Sequence, residues 1–395
     1  MPALLVLMGS GETSPTMVEI HRAAARTLRT GARAVLLDTP YAFQENAADI
    51  SARARRYFAH SVGLEVEVAA GITGADWIFS GPGSPTYALD RWAGSGVAGD
   101  LRARVRAREG VTVLASAAAC TAGLATVPVY EIYKVGADPH WREGIDLLEP
   151  LGLQAVLIPH FDNAEGGTHD TRYCYLGERR LSRMERELPP GTAVLGLDEH
   201  TALVIDLESE SVRVAGRGGL TVRRPGSQTV LPTGTHTDLA QLRRLAEGGT
   251  SLATTPPPPA EPAPAEVTLE ETIHTCEELF KAAVGKPDMV AAAQTVLDLE
   301  AEIVKWAADT EEDSGGVEQA RELMRLLIAR LGELASAAGL RSLGLPSLVE
   351  PLLALRSRLR EEGRYEVADA LRAAMLEGGI VVEDTPDGPR WTCTP

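Results

Sequence analysis

Cysteine is scarce and scattered. The four in 395 residues (Cys120, Cys174, Cys276, Cys393) form no CxxC pair, so neither a zinc finger nor a disulfide framework is indicated. Positive charge is also short: 38 Lys and Arg face 55 Asp and Glu, a formal net charge of −17. Phosphate backbones are gripped by Lys and Arg, so this balance argues against a general nucleic-acid binder. Long apolar runs are missing too. Ala3 to Met8 is apolar but too short for a signal peptide and has no basic flank. Nothing reaches the roughly 20 residues of a membrane helix. The expected protein has no membrane contact and no cofactor, and sits in a reducing cytoplasm. Its length implies two or three domains.

What is present first is an alternation of strands and helices. Leu4 to Met8, Ala34 to Asp38, Val66 to Val68 and Asp76 to Ser80 read as short buried strands, with helical stretches at Thr16 to Arg29 and Glu45 to Val62. Such alternation predicts an α/β fold with a doubly wound parallel sheet. Ligands of these sheets bind beyond the carboxyl ends of the strands. The loops after Met8, Ser80 and Ala115 all follow strands and are expected to converge there. Gly9-Ser10-Gly11 lacks the third glycine of a dinucleotide fingerprint. It reads either as a tight turn or as the rim of a pocket.

Gly110 to Ala115 is another β-branched, apolar strand, and it runs directly into small residues, Ser116-Ala117-Ala118-Ala119-Cys120-Thr121-Ala122-Gly123. A strand that turns into a helix without a polar loop is the geometry of a nucleophile elbow. Three registers are open: Ser116 at the tip, Ala118 at the tip with no chemistry, or Cys120 as an alternative nucleophile. Farther on, Gln154 to Asp162 reads as a strand ending in His160, a group able to take and return a proton near neutral pH. Ala193 to Ile205 carries Asp198-Glu199 between apolar flanks. A carboxylate buried there needs a partner, and His160 is the obvious one. Asp162, Glu165, His169 and Asp170 match no named metal spacing. Asp38 to Tyr41 suggests no catalytic role; Val127 to Tyr133 reads as a pocket wall or an oligomer contact.

These motifs resemble the cyanophycinase and aspartyl dipeptidase family, serine hydrolases on the class I glutamine amidotransferase-like fold. The likeness covers roughly residues 3–235. It rests on the Ser116-Ala117-Ala118-Ala119 elbow, the Gly81-Pro82-Gly83-Ser84-Pro85 loop, Pro159-His160-Phe161-Asp162 and Gly196-Leu197-Asp198-Glu199-His200-Thr201-Ala202-Leu203. Leu114 and Ala118 stand where the family has glycine. The resemblance implies catalytic Ser116, His160 and Glu199, with Asp198 the fallback for Glu199. It also implies backbone donors for an oxyanion near Gly81, Gly83 and Ala117, and a small peptide or amide substrate. Without a working elbow, the same region would be a binding or regulatory module.

Gly248 to Ala265 is rich in Pro, Thr and Ala and reads as an extended spacer. The expected domains are therefore 1–247, a linker over 248–266, and 267–395. The last is helical. Val296, Leu299, Ile303 and Trp306 share a face, as do Leu323, Leu327, Leu331 and Leu334. Ser347 to Glu350 reads as a capping box, Gly363 as a break, and 380–393 as a β-hairpin across Pro386-Asp387-Gly388. Ala307-Ala308-Asp309-Thr310, Tyr365 to Arg372 and Gly379 to Trp391 resemble the C-terminal region of cysteinyl-tRNA synthetases. That implies contact with tRNA or a translation protein. The synthetase catalytic domain is not there, so cysteinylation by this chain is not expected. Residues 267–395 hold 13 Lys and Arg against 24 Asp and Glu, a net of −11 that opposes RNA affinity. Arg356, Arg358, Arg360 and Arg364 are a local basic cluster.

Overall fold

The computed structural model describes residues 3–166, 169–249, 268–286, 288–306, 316–342, 345–385 and 388–393, with backbone alone at 335–342, 345–347 and 393. The first strand, β1 (Ala3–Met8), is buried at every position except Leu4, the pattern of a strand covered on both faces. It is followed by α1 (Val18–Ala25), β2 (Ala34–Leu36), α2 (Ala47–Tyr57), β3 (Glu67–Val68), β4 (Trp77–Ser80), α3 (Pro85–Ser95), α4 (Val97–Ala107) and β5 (Gly110–Ala115). These five strands lie parallel in the order β1-β5-β4-β2-β3. The helix expected over Glu45 to Val62 closes as a π-turn at Phe58–Val62, where Gly63 takes a left-handed φ of 81°.

Next come α5 (Ser116–Cys120), β6 (Ala125–Thr126), α6 (Val129–Tyr133), β7 (Arg142–Glu143), β8 (Ala155–Ile158), α7 (Gly177–Glu185) and β9 (Ala193–Leu197). The remaining elements of this region are β10 (Thr201–Asp206), β11 (Ser211–Gly216), β12 (Gly219–Arg224), β13 (Ser227–Pro232), β14 (His236–Asp238) and α8 (Leu239–Ala246). Here the parallel sheet gains an antiparallel edge. β10 pairs antiparallel with β1, and β11 and β14 extend that edge, giving eight strands ordered β14-β11-β10-β1-β5-β4-β2-β3. A second sheet, β13-β12-β9-β8, is parallel only between β8 and β9. The physical reason is connection length. β10 leads to β11, and β12 to β13, through turns too short to carry a crossover helix, so each pair must be antiparallel. The consecutive strands β11 and β12 thereby fall in different sheets.

Side chains alternate across the main sheet. Leu5, Leu7, Val35, Leu114 and Leu203 bury on one face with Ala155, Leu157 and Leu195 of the second sheet. Val6, Met8, Leu36, Val111 and Val113 bury on the other under Met17, Tyr57 and Phe58.

The chain packs as two compact units, Met1–Glu278 with Leu297–Glu322, and Leu279–Val296 with Leu323–Pro395. The tail elements are α9 (Leu269–Gly285), α10 (Met289–Trp306), α11 (Gly316–Ser342), α12 (Leu345–Glu361), α13 (Tyr365–Glu377), β15 (Ile380–Thr385) and β16 (Gly388–Cys393). The α10 stripe of Val296, Leu299, Ile303 and Trp306 is buried; of the α11 stripe only Leu327 is. Val349, Leu353, Met375, Ile380 and Val382 form the core of α12, α13 and the hairpin. α12 begins at Leu345, ahead of the expected cap at Ser347, whose side chain lies outside the described residues, as do the spacer at 250–265, Ala307 to Thr310 and the hairpin turn at 386–387. Among the described residues no helix is long and apolar enough to cross a membrane.

Candidate active site

β5 passes into α5 with no residue between. Ala115 is still extended, and Ser116 sits at φ 46°, in the left-handed region that costs a non-glycine residue about 1–3 kcal/mol. Ala117, Ala118 and Ala119 are buried behind it, which is why the turn is built from methyl side chains. The Ala118 N–H donates to the Gly81 carbonyl at 3.1 Å, and its methyl packs in the core with Leu114. Of the three possible registers, it is Ser116 that occupies the strained tip. Cys120 is 1% exposed, and burial pushes its thiol up to about 12. A thiol so placed is not the thiolate that nucleophilic attack requires.

His160 lies two residues beyond the end of β8, also left-handed at φ 47°. Its Nε2 is 3.0 Å from Ser116 Oγ. Two backbone bonds fix this residue and its neighbour: Cys174 N–H donates to His160 O at 3.1 Å and Tyr173 N–H to Phe161 O at 3.0 Å. The Phe161 ring lies over Gly196, where any Cβ would stand 2.3 Å from it. The segment that delivers these donors is itself strained, since Tyr173, Cys174 and Tyr175 are all left-handed.

Glu199 comes from the turn between β9 and β10. Its Oε1 is 2.9 Å from His160 Nδ1 and accepts from Asn163 Nδ2 at 3.1 Å. Its backbone N–H donates to Asp162 Oδ1 at 2.7 Å. Burial works against this carboxylate, but the hydrogen bonds from His160 and Asn163 outweigh it and hold its pKa below the ordinary value. Asp198 points elsewhere: Oδ2 accepts from Gly219 N–H at 2.7 Å. Burial and the neighbouring Asp162 raise it to about 6. The structure therefore brings Ser116, His160 and Glu199 into one chain of hydrogen bonds, and leaves Asp198 out of it.

The loops after β1, β4 and β5 meet at this edge. Gly9 abuts the Asp198 carbonyl and Gly11 lies under the His200 ring, where a Cβ would come within 2.0 Å and 2.1 Å of its neighbours. These glycines serve close packing against the 198–200 turn. Gly81 abuts the fully buried Glu12 carboxylate at 2.6 Å from where its Cβ would be. Gly83, at φ 128°, rests on the Pro40 carbonyl, which also accepts from Ser84 N–H at 2.8 Å. The Thr39–Tyr41 turn, without an apparent role in the sequence, thus seats the Gly81–Ser84 loop. Ala117 N–H lies in the first turn of α5, where no carbonyl four residues back is available within the helix.

Sequence reasoning missed Asn163 and Asp162 as supports of Glu199. The proximity of both to His160 in the chain was a usable signal. The four residues weighed as metal ligands go to separate partners. Asp162 holds Glu199 N–H, Glu165 accepts from Tyr175 Oη at 2.7 Å, His169 stacks on Tyr133, and Asp170 pairs with Arg172 at 2.8 Å.

Residues 343–391 match the family model of the cysteinyl-tRNA ligase anticodon binding domain. A cysteine–tRNA ligase of Koribacter versatilis (strain Ellin345) is 35% identical over 88 residues, covering 22% of this chain and 16% of that protein. One from Carboxydothermus hydrogenoformans is 46% identical over 43 residues, covering 11% of this chain and 9% of its own. The chain spans less than a fifth of the length of these curated relatives. Among solved structures, a peptidase from an acI-B1 actinobacterium aligns over 60% of this chain and 97% of its own, with a TM-score of 0.47 and 18% identity. A putative peptidase E protein from Listeria monocytogenes EGD-e aligns over 59% and 100%, with a TM-score of 0.37 and 12% identity.

Within the anticodon-binding-like segment, the basic cluster is largely engaged. Arg356, 1% exposed, pairs through both terminal nitrogens with Asp384 at 2.6 and 2.8 Å, and Arg360 joins the same carboxylate at 2.6 Å. Arg364 is 3.8 Å from Glu362.

Proposed function

We propose that the chain is a serine-type hydrolase of a peptide or amide bond. The observation that carries this reading is the hydrogen-bond chain from Ser116 Oγ through His160 to Glu199, with the serine on a left-handed strand-to-helix tip. Ser116 Oγ attacks the substrate carbonyl carbon while its proton passes to His160 Nε2. Glu199 fixes the imidazole tautomer through Nδ1 and stabilises the imidazolium that forms. Ala117 N–H receives the oxyanion, with the Gly81–Gly83 loop as the second source of donors. As the tetrahedral adduct collapses, the C–N bond breaks and His160 returns its proton to the leaving amine. Water then attacks the ester carbonyl as the same ring takes its proton; the acyl C–Oγ bond breaks, that proton passes to Ser116 Oγ, and the acid is released.

Labelling with a fluorophosphonate probe tests this. Wild-type protein is expected to take up one equivalent and Ser116→Ala none. Equal labelling of both, or none of either, overturns the reading.

A second reading is favoured by the match at 343–391: the tail contacts tRNA or a translation protein, and the N-terminal region binds rather than cleaves. The acidic balance of the tail and the pairing of Arg356 and Arg360 with Asp384 favour a protein partner over RNA. Titration with total tRNA at low salt separates the two. Salt-sensitive binding supports RNA contact, and no binding at any salt rules it out.

A further inference from the structure

We propose that the appended helices α9 and α10 complete the hydrolase edge, clamping the Asp198–His200 turn through Glu271 and Trp306 so that Glu199 stays aimed at His160. His200, Arg217 and Trp306 are then positioning residues. The functional consequence rests on the proposed roles of Ser116, His160 and Glu199; the clamp itself does not.

The turn needs outside support. It joins β9 of one sheet to β10 of the other in three residues, so neither ladder alone fixes it. His200 is left-handed at φ 50°. The side chain of Glu199 is 31% exposed, so its direction depends on the backbone that carries it.

That backbone is gripped from two sides. From within the sheet domain, Thr16 Oγ1 and Ser14 Oγ reach His200 Nδ1 at 2.9 and 3.3 Å, and Gly11 lies flat beneath the ring. The Arg217 N–H donates to the His200 carbonyl at 2.9 Å, where Gly216 leaves room for the approach.

From the appended helices come two further contacts. The Trp306 indole meets the His200 ring edge-to-face, with centroids 6.2 Å apart at 74°. Trp306 is buried, although it is the final residue of α10. The Arg217 guanidinium reaches both carboxylate oxygens of Glu271 at 3.1 and 3.2 Å. Glu271 is itself fixed, because it closes a reciprocal cap with Thr268 at the start of α9. A lone exposed ion pair would carry little weight. Here two helices bear on one three-residue turn, one through the ring of His200 and one through the residue that holds its carbonyl. All of these residues belong to the same compact unit.

Amide hydrogen exchange of the full-length chain tests the clamp without reference to turnover. In Trp306→Ala, exchange across 198–201 is expected to speed up about threefold to tenfold, the scale an aromatic contact supports, and in Glu271→Ala by about twofold to fivefold, the scale of an ion pair. Val290→Ala, at a position 81% exposed on the same helix α10, leaves it unchanged. Fluorophosphonate labelling of Ser116 then slows by a similar factor in the two clamp variants, with a displaced pH midpoint, and Trp306→Phe restores both readouts. Exchange at wild-type rates in both clamp variants overturns the proposal. Failure of wild-type Ser116 to label overturns the hydrolase reading instead, and the exchange experiment still decides the clamp.

Discussion

Asp198 and Glu199 are neighbours in the chain and opposite in behaviour. Glu199 is held below its ordinary pKa by donors from His160 and Asn163, whereas burial and Asp162 raise Asp198 from 3.8 to about 6. The folded chain therefore binds the Asp198 proton more tightly than the unfolded chain does. No stability is lost below about pH 4, and stability falls as pH rises through 6. Asp198→Asn keeps an acceptor for Gly219 N–H and removes this titration. It is expected to raise Tm relative to wild type at pH 8 and to leave it unchanged at pH 4. Glu199 has the reverse sign: its pairing stabilises the fold above the ordinary carboxylate range and is lost as pH falls through its lowered value. In the sequence, Ser116, His160 and Glu199 were legible as residue types within short motifs. Choosing Glu199 over Asp198 was not derivable from burial, because both are acidic and share one turn. Asn163 was legible only through its nearness to His160 in the chain, because the carboxylate it holds lies 36 residues away.

At the scale of elements, the His160 loop depends on a glycine in a different strand. Gly196→Ala would drive a methyl into the Phe161 ring, an overpacking that costs about 1–3 kcal/mol. It also moves the residue next to His160, so thermal melts should show the destabilisation and Ser116 labelling should slow more than stability alone explains. The parallel strands were legible because a strand buried on both faces writes a continuous apolar run, as β1 and β5 do. The antiparallel pairing of β10 with β1 was not. The choice of β1 as partner for β10 is set by which edge the turn at 198–200 delivers it to, and residue pattern carries no record of that. The small residues of α5 told where the chain turns, while the tip residue became clear only from the φ of 46° at Ser116.

Across the whole molecule, a serine-bearing α/β sheet region shares a chain with a tail similar to part of a tRNA ligase. The basic cluster of that tail was legible as charge, and its engagement by Asp384 was not, because the carboxylate lies on a hairpin 28 residues beyond Arg356. Asp384→Ala leaves the buried Arg356 without its partner. It is expected to lower the stability of the helix–hairpin core by about 1–3 kcal/mol, read as an earlier melting transition in the tail. The central claim concerns one coupled chain of side chains, and its sharpest test is a double-mutant cycle on the rate of fluorophosphonate labelling. His160→Gln alone should slow labelling by at least about 100-fold. Groups that act as one relay are strongly non-additive, so adding Glu199→Gln to that variant should slow it no further, although Glu199→Gln alone slows the wild type. Independent, multiplying effects of the two substitutions, or full labelling in either single variant, would contradict the account.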